Sequence, residues 1–253
     1  MDIVYMNNSF MAKLAKSILL FVLVIGLSAC KNSESVSNNS DSDSSTVSEK
    51  ATENGTEMTK AEMEALYWAR RDSAKMNFTQ ADVKFMTGMI AHHAQALIMS
   101  RLAPENNASQ QIQTLAARII NAQKDEIQSM QTWLRDRDQP VPEVHIKGLN
   151  LMIHGLGEDH MKMDHTNMAG MLSPAQLKEL SEARGDEFDR LFLKYMIDHH
   201  KGAVTMVTRL FDTDGAAQDD AAFKLASDIQ VDQRTEIDRM QLMLDRITAA
   251  NQQ

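Results

Sequence analysis

The sequence has a single cysteine in 253 residues, Cys30, so it holds no disulfide framework and no thiolate zinc site. Glycine (10) and proline (4) are scarce, and aromatics make up only 5%. That balance, with an unusual 19 methionines, favours a helical protein whose core is filled by Leu, Ile, Ala and Met. Positive charge is also short: Lys+Arg 26 against Asp+Glu 35 leaves a net charge of -9. Such a chain argues against nucleic acid as a partner, because a phosphate backbone asks for a basic face. The apolar run "ILLFVLVIGLSA" (18–29) has only twelve residues, against the roughly 20 that a membrane-spanning helix needs.

That run instead completes an export signal. Lys13 and Lys16 precede it and small residues close it, giving a charged n-region, a short h-region and a cleavage point. The stretch "LSAC" (27–30) resembles the lipobox of bacterial lipoproteins, whose cysteine is lipidated and becomes the mature N-terminus. The expectation is a signal peptide over 1–29 and a lipid anchor on Cys30, holding the protein on a membrane of the bacterial cell envelope, facing the periplasm. An ordinary signal peptide with a chance cysteine is the plainer alternative. The Ser/Asn/Asp-rich residues that follow cannot bury enough apolar surface to fold, so 30–57 reads as a disordered tether.

From residue 58 the pattern turns helical. A short helix is expected over 60–76, then long ones from 79 to about 102, ahead of Pro104, and over 109–137. Thr79 and Asp82 have the spacing of a capping box. Ser173-Pro174 opens a further short helix as N-cap and first helical residue, and two long helices follow at about 186–212 and 219–249. "FMTGMIAHHAQALIM" (85–99) recurs as "FLKYMIDHHKGAVTM" (192–206), and "LAARIINAQKDEIQSMQTWL" (115–134) as "LASDIQVDQRTEIDRMQLML" (225–244). The offset is 107 in the first pair and 110 in the second, which places three extra residues in the second hairpin loop. Each repeat, about 79–138 and about 186–249, is thus a helical hairpin. Two hairpins make an all-α four-helix bundle within 58–250, joined by an irregular Met/His-rich connector over 143–172.

At about 100° per residue, Phe85, Met86, Met89, His92, His93, Ala96 and Met99 share one stripe, and the second copy repeats it with Met196, His199, His200 and Met206. On the partner helices Gln123, Glu126, Ile127, Met130 and Leu134 share a stripe, as do Gln233, Glu236, Ile237, Met240 and Leu244. A glutamate on an apolar stripe is costly unless it is paired or bound to something. Here it recurs in both halves, each time across from a His pair. Satisfied core histidines and gap-filling methionines are the bland account; a metal site is the sharper one. Without cysteine, imidazole with soft thioether is the natural donor set for copper outside the cytoplasm, and thioether favours Cu(I), with Cu(II) also possible. The connector points the same way, with Met152, His154, His160, Met161, Met163, His165, Met168 and Met171 within a short span. Its plainer reading is an apolar loop packed on the bundle.

These two double-histidine stretches and the two "Q-x-x-E-I-x-x-M" runs resemble a bacterial family long described only as a domain of unknown function, over about residues 79–246. The resemblance implies a ferritin-like four-helix fold and, as in the copper-binding exported CopM-like members, His92, His93, His199 and His200 as ligands, with Met89, Met99, Met196 and Met206 beside them. Leu193 stands where the first copy has Met86, so the two halves are not identical. A di-iron or di-manganese oxidase on the same fold would need Glu-x-x-His motifs, which the chain lacks. A structural lipoprotein without metal is the third reading. The balance is a copper-binding protein of the envelope acting in copper homeostasis or resistance, rather than an enzyme, with a homo-oligomer or a copper-transfer partner left open. Cys30→Ser is expected to shift the protein from the membrane fraction to a soluble or unprocessed pool, as read by fractionation and immunoblotting; mature-size protein still in the membrane fraction would refute the anchor.

Overall fold

The computed structural model describes residues 58–156 and 168–250. The chain divides into two compact units, the smaller spanning Met6–Met63. Of that smaller unit the described part is the start of helix α1 (Lys60–Lys75), where the Glu62 carboxylate accepts the Thr59 amide at 2.7 Å. The larger unit takes in Glu64–Gln253.

Helix α2 (Gln80–Glu105) starts at the expected capping box. Thr79 is extended, its hydroxyl accepts the Asp82 amide, and its own amide donates to the Asp82 carboxylate at 2.8 Å. The other Asp82 oxygen accepts the Ala217 amide at 2.7 Å, tying a distant loop to this helix start. The helix does not stop ahead of Pro104 but carries it in its last turn. That turn has few intrahelical bonds left to lose, so the missing proline N–H costs little there. Helix α3 (Gln110–Arg135) is capped by Ser109, whose amide donates to Asp189 at 3.1 Å.

The stretch expected to be irregular holds two short strands, β1 (Glu143–Lys147) and β2 (Asn150–His154), paired antiparallel. Gly148 takes φ +58° in the two-residue turn between them, a conformation that glycine supplies without strain. Met/His density masked the alternation of Val144, Ile146, Leu151 and Ile153 that signals this hairpin. Helix α4 (Pro174–Glu182) carries the expected cap at Ser173. Helices α5 (Gly185–Phe211) and α6 (Asp220–Ala250) complete the chain. Asp219 caps α6 through the Ala222 amide at 2.7 Å and is buried in an ion pair with Arg137 at the end of α3. Burial pulls the Asp219 carboxyl up, but Arg137, the Ala222 amide and the Trp133 indole N–H outweigh it and hold it below its ordinary value.

The hairpins α2–α3 and α5–α6 pack through α2 on α5 and α3 on α6, giving the four-helix bundle. Helix α2 is buried on nearly every side, because α4 and the β-hairpin also cover it. Two apolar clusters fill the interior. One gathers Met99, Ile112, Ile119, Phe188, Phe192 and Leu193, and the other Met86, Met89, Ile90, Leu134, Val207 and Ile229. Along every bundle helix the segment between the clusters is polar: His92 and His93, Gln123 and Glu126, His199 and His200, Gln233 and Glu236. Among the described residues no helix is long and apolar enough to cross a membrane.

The end of the connector seats on this polar layer. Gln95 grips the Leu172 backbone twice, accepting its amide at 2.7 Å and donating to its carbonyl at 3.0 Å. At Gly202, the position equivalent to Gln95 in the second repeat, a Cβ would lie 2.0 Å from the Ala169 carbonyl oxygen. Elsewhere in a helix Gly→Ala gains about 1 kcal/mol. Here the clash is with backbone, so Gly202→Ala is expected to lose about 1–3 kcal/mol in urea denaturation, with the connector lifted from the helix.

Candidate metal centre

Adjacent residues on a helix diverge by about 100°, so a His pair cannot aim both rings one way. The structure uses both directions. His92 and His199 point at each other across the α2–α5 interface, with ring centroids 3.8 Å apart and planes inclined by 37°. His93 turns to its own hairpin partner, its Nε2 2.5 Å from Glu126 Oε2. His200 does the same in the second half, at 2.7 Å from Glu236 Oε2. The four imidazoles are buried, and the Glu126 and Glu236 side chains are 13% and 16% exposed. The two pairs therefore form one contiguous, pseudo-symmetric set rather than two separated ones.

Hydrogen bonding leaves this set unsatisfied. His92 donates through Nε2 to the Ala169 carbonyl at 3.0 Å, which puts its proton there and its free lone pair on Nδ1. Among the described residues the Nδ1 atoms of all four rings have no partner, and His199 makes no well-aligned hydrogen bond at either nitrogen, the His92 backbone being its one loose neighbour. His93 and Glu126 approach closely but outside hydrogen-bond alignment, unlike His200 and Glu236. Gln123 Oε1 is buried and unpaired beside them. Each such orphan costs about 1–3 kcal/mol, and native interiors tolerate few.

Burial, and then the neighbouring His93, push His92 down to about 3. Burial drives His199 well below its ordinary value, helped by His92, His200 and His93 and opposed slightly by the His92 backbone. Both rings are neutral at physiological pH, so their lone pairs are free for a cation. Asp232, on α6, is raised by burial and then by the nearby carboxylates of Glu126, Glu236 and Asp228. The equivalent position in the first repeat is Ala122.

Thioether lies above and below. Met89, Met99, Met130, Met196 and Met240 are fully buried within the apolar clusters. Met206, on α5, and Met168, from the connector, meet over Gly88, one turn before His92: Met168 Sδ and Met206 Cε lie 3.4 and 3.5 Å from where a Gly88 Cβ would stand. Met171 is half-buried, and Met152 and His154 sit apart on the β-hairpin. His160, Met161, Met163, His165 and Cys30 lie outside the described residues. Among the described residues no three His, Asp or Glu side chains form a ready cage for an ion.

Sequence reasoning missed the connector backbone at Ala169 and Gly170, the Gln95 clamp, Gly202, Asp232 and His145. The one available signal was Gln95, a polar residue within a helix that is otherwise apolar on that side.

The depressed histidines set the sign of a pH effect. Between about 6.5 and about 3 the unfolded chain binds protons that folded His92 refuses, so stability rises with pH across that window and levels off above it. Metal-free protein is expected to lose stability below pH ~6.5, by up to about 1.4 kcal/mol per unit for each such histidine. Denaturation at a series of pH values checks this, and His92→Leu/His199→Leu should flatten the slope.

Residues 82–244 match the model of DUF305, a domain of unknown function. No curated protein matches the chain. A DUF305 fragment from Deinococcus radiodurans is 30% identical, with 67% of this chain and 98% of that one covered and a TM-score of 0.53. A putative secreted DUF305 protein from Streptomyces coelicolor is 24% identical over 66% of this chain and 94% of its own, with a TM-score of 0.54, and shows the fold alone. CopM in its Cu(II)-bound form is 30% identical over 65% of this chain and 96% of its own; its TM-score of 0.46 is too low to carry positions from one to the other. The matched span takes in both His pairs, both inward glutamates and the connector between them, and the chain belongs to the DUF305 family.

Proposed function

We propose that this protein binds copper, preferring Cu(I), in the polar layer of its bundle. On this reading it is a lipid-anchored protein facing the periplasm that serves copper homeostasis or resistance. The observation that carries the reading is the buried His92–His199 pair, both rings neutral and their Nδ1 atoms without a hydrogen-bond partner among the described residues. A protein core fills such positions with apolar residues unless the lone pairs are used. The donors suit a soft cation: imidazole from His92 and His199, and thioether from the methionines on the turns above and below, with no thiolate. His93–Glu126 and His200–Glu236 would orient the layer and supply negative charge toward a bound cation. The described end of the connector adds further thioether at Met168.

Competition titrations under reducing conditions are expected to show tighter binding of Cu(I) than of Zn(II). His92→Leu/His199→Leu should weaken the tight Cu(I) fraction by roughly tenfold or more. In the metal-free state the same variant should be more stable by about 1–3 kcal/mol in urea, because apolar side chains replace unsatisfied rings. Undiminished Cu(I) affinity, or a loss of metal-free stability, would make the histidines core packing.

A further inference from the structure

The β-hairpin separates its side chains cleanly. Its register pairs Glu143 with His154, His145 with Met152 and Lys147 with Asn150, so these six share one face. The opposite face holds Val144, Ile146 and Leu151, which pack with Leu149 on the bundle core. Anchored that way, the hairpin must present His145, Met152 and His154 outward. The rings of His145 and His154 lie diagonally across the two strands, with centroids 5.0 Å apart and planes at 72°. The His145 side chain is 33% exposed, Met152 is 43% exposed and His154 is exposed. Glu143 Oε2 stands 3.9 Å from His145 Nε2, and Lys147 lies toward the turn.

Met152 is out of place for packing. A strand's solvent face favours polar side chains, and Met152, left 43% exposed opposite an imidazole, gains only part of its possible burial there. Ligation accounts for it. Two imidazole nitrogens on one three-coordinate ion stand about 3.5 Å apart, given ~2 Å for each bond, and rings with centroids 5.0 Å apart reach that by side-chain rotation. Cross-strand partners have Cβ atoms about 5 Å apart, which brings the Met152 sulfur to the same ion.

We propose that His145, His154 and Met152 form a surface site for a soft monovalent cation, Cu(I) or Ag(I), on the outer face of the hairpin. It shares no residue with the buried layer and stands whether or not that layer binds metal. Two imidazoles and one thioether give a three-coordinate donor set, and hard divalent cations, which want oxygen, are selected against. Exposure makes the site quick to load and release, whereas an ion in the buried layer must pass the connector or the helix seams.

Ag(I), a redox-inert probe, tests this on the full chain with the methionine methyls labelled for NMR. Titration is expected to shift the Met152 methyl and to load one equivalent that His145→Ala/His154→Ala removes. The same equivalent should persist in His92→Leu/His199→Leu. Met152→Leu, which keeps the packing volume, should weaken this equivalent by roughly tenfold. An unmoved Met152 methyl, or full stoichiometry in the His145/His154 double variant, would overturn the proposal. Loss of the equivalent only in the His92/His199 variant would assign all binding to the bundle and overturn it equally.

Discussion

The burial of four imidazoles at the middle of a helical bundle is the constraint on which the rest of the structure depends. An unpaired polar atom in a dry interior costs energy that only its neighbours or a ligand can return. The two apolar clusters, one on each side of the histidines, supply the stability that lets this layer exist. The layer is continuous across all four helices, so the cost is concentrated at one level rather than scattered.

The duplicated hairpin explains how opposite demands are met with one motif. Consecutive histidines diverge around the helix, so each copy sends one ring to the other repeat and one to its own glutamate. A single histidine could not do both. The pseudo-symmetry is broken by what lies outside the repeats. The connector bonds to His92 and, among the described residues, has no such bond to His199. Gln95 holds the connector by its amide, whereas the equivalent Gly202 admits its backbone by having no side chain. Asp232 likewise faces the glutamates from one half only.

The connector is a cover as well as a link. Gly170, at φ +78°, lies against the Asp198 and His199 carbonyls, and Met168 reaches over Gly88 toward Met206. The seat requires two glycines where side chains would collide with backbone, Gly170 and Gly202. On that side main chain and thioether flank the imidazoles, whereas Asp232 is raised by the carboxylates of Glu126 and Glu236 on the other. The two sides differ in hardness, and only the first resembles the soft donors inside.

Sequence alone determined the bundle, because a repeat of two helical hairpins with matched apolar stripes has one economical way to bury itself. It also determined that both glutamates face inward, since helical periodicity fixes angle regardless of what packs there. Periodicity says nothing about which ring of a His pair crosses to which helix, because that depends on the rotation and spacing of neighbouring helices. Nor could it show that α2 is covered on nearly every side, or that a backbone carbonyl from the connector takes the His92 proton. The β-hairpin was hidden by composition: dense methionine and histidine overlie a short alternation that only burial against the bundle makes meaningful. His145, alone in sequence, becomes a neighbour of His154 through strand register. Local spacing therefore settled what each helix is and which way it faces; long-range packing decided which donors meet, because meeting is a property of two elements at once.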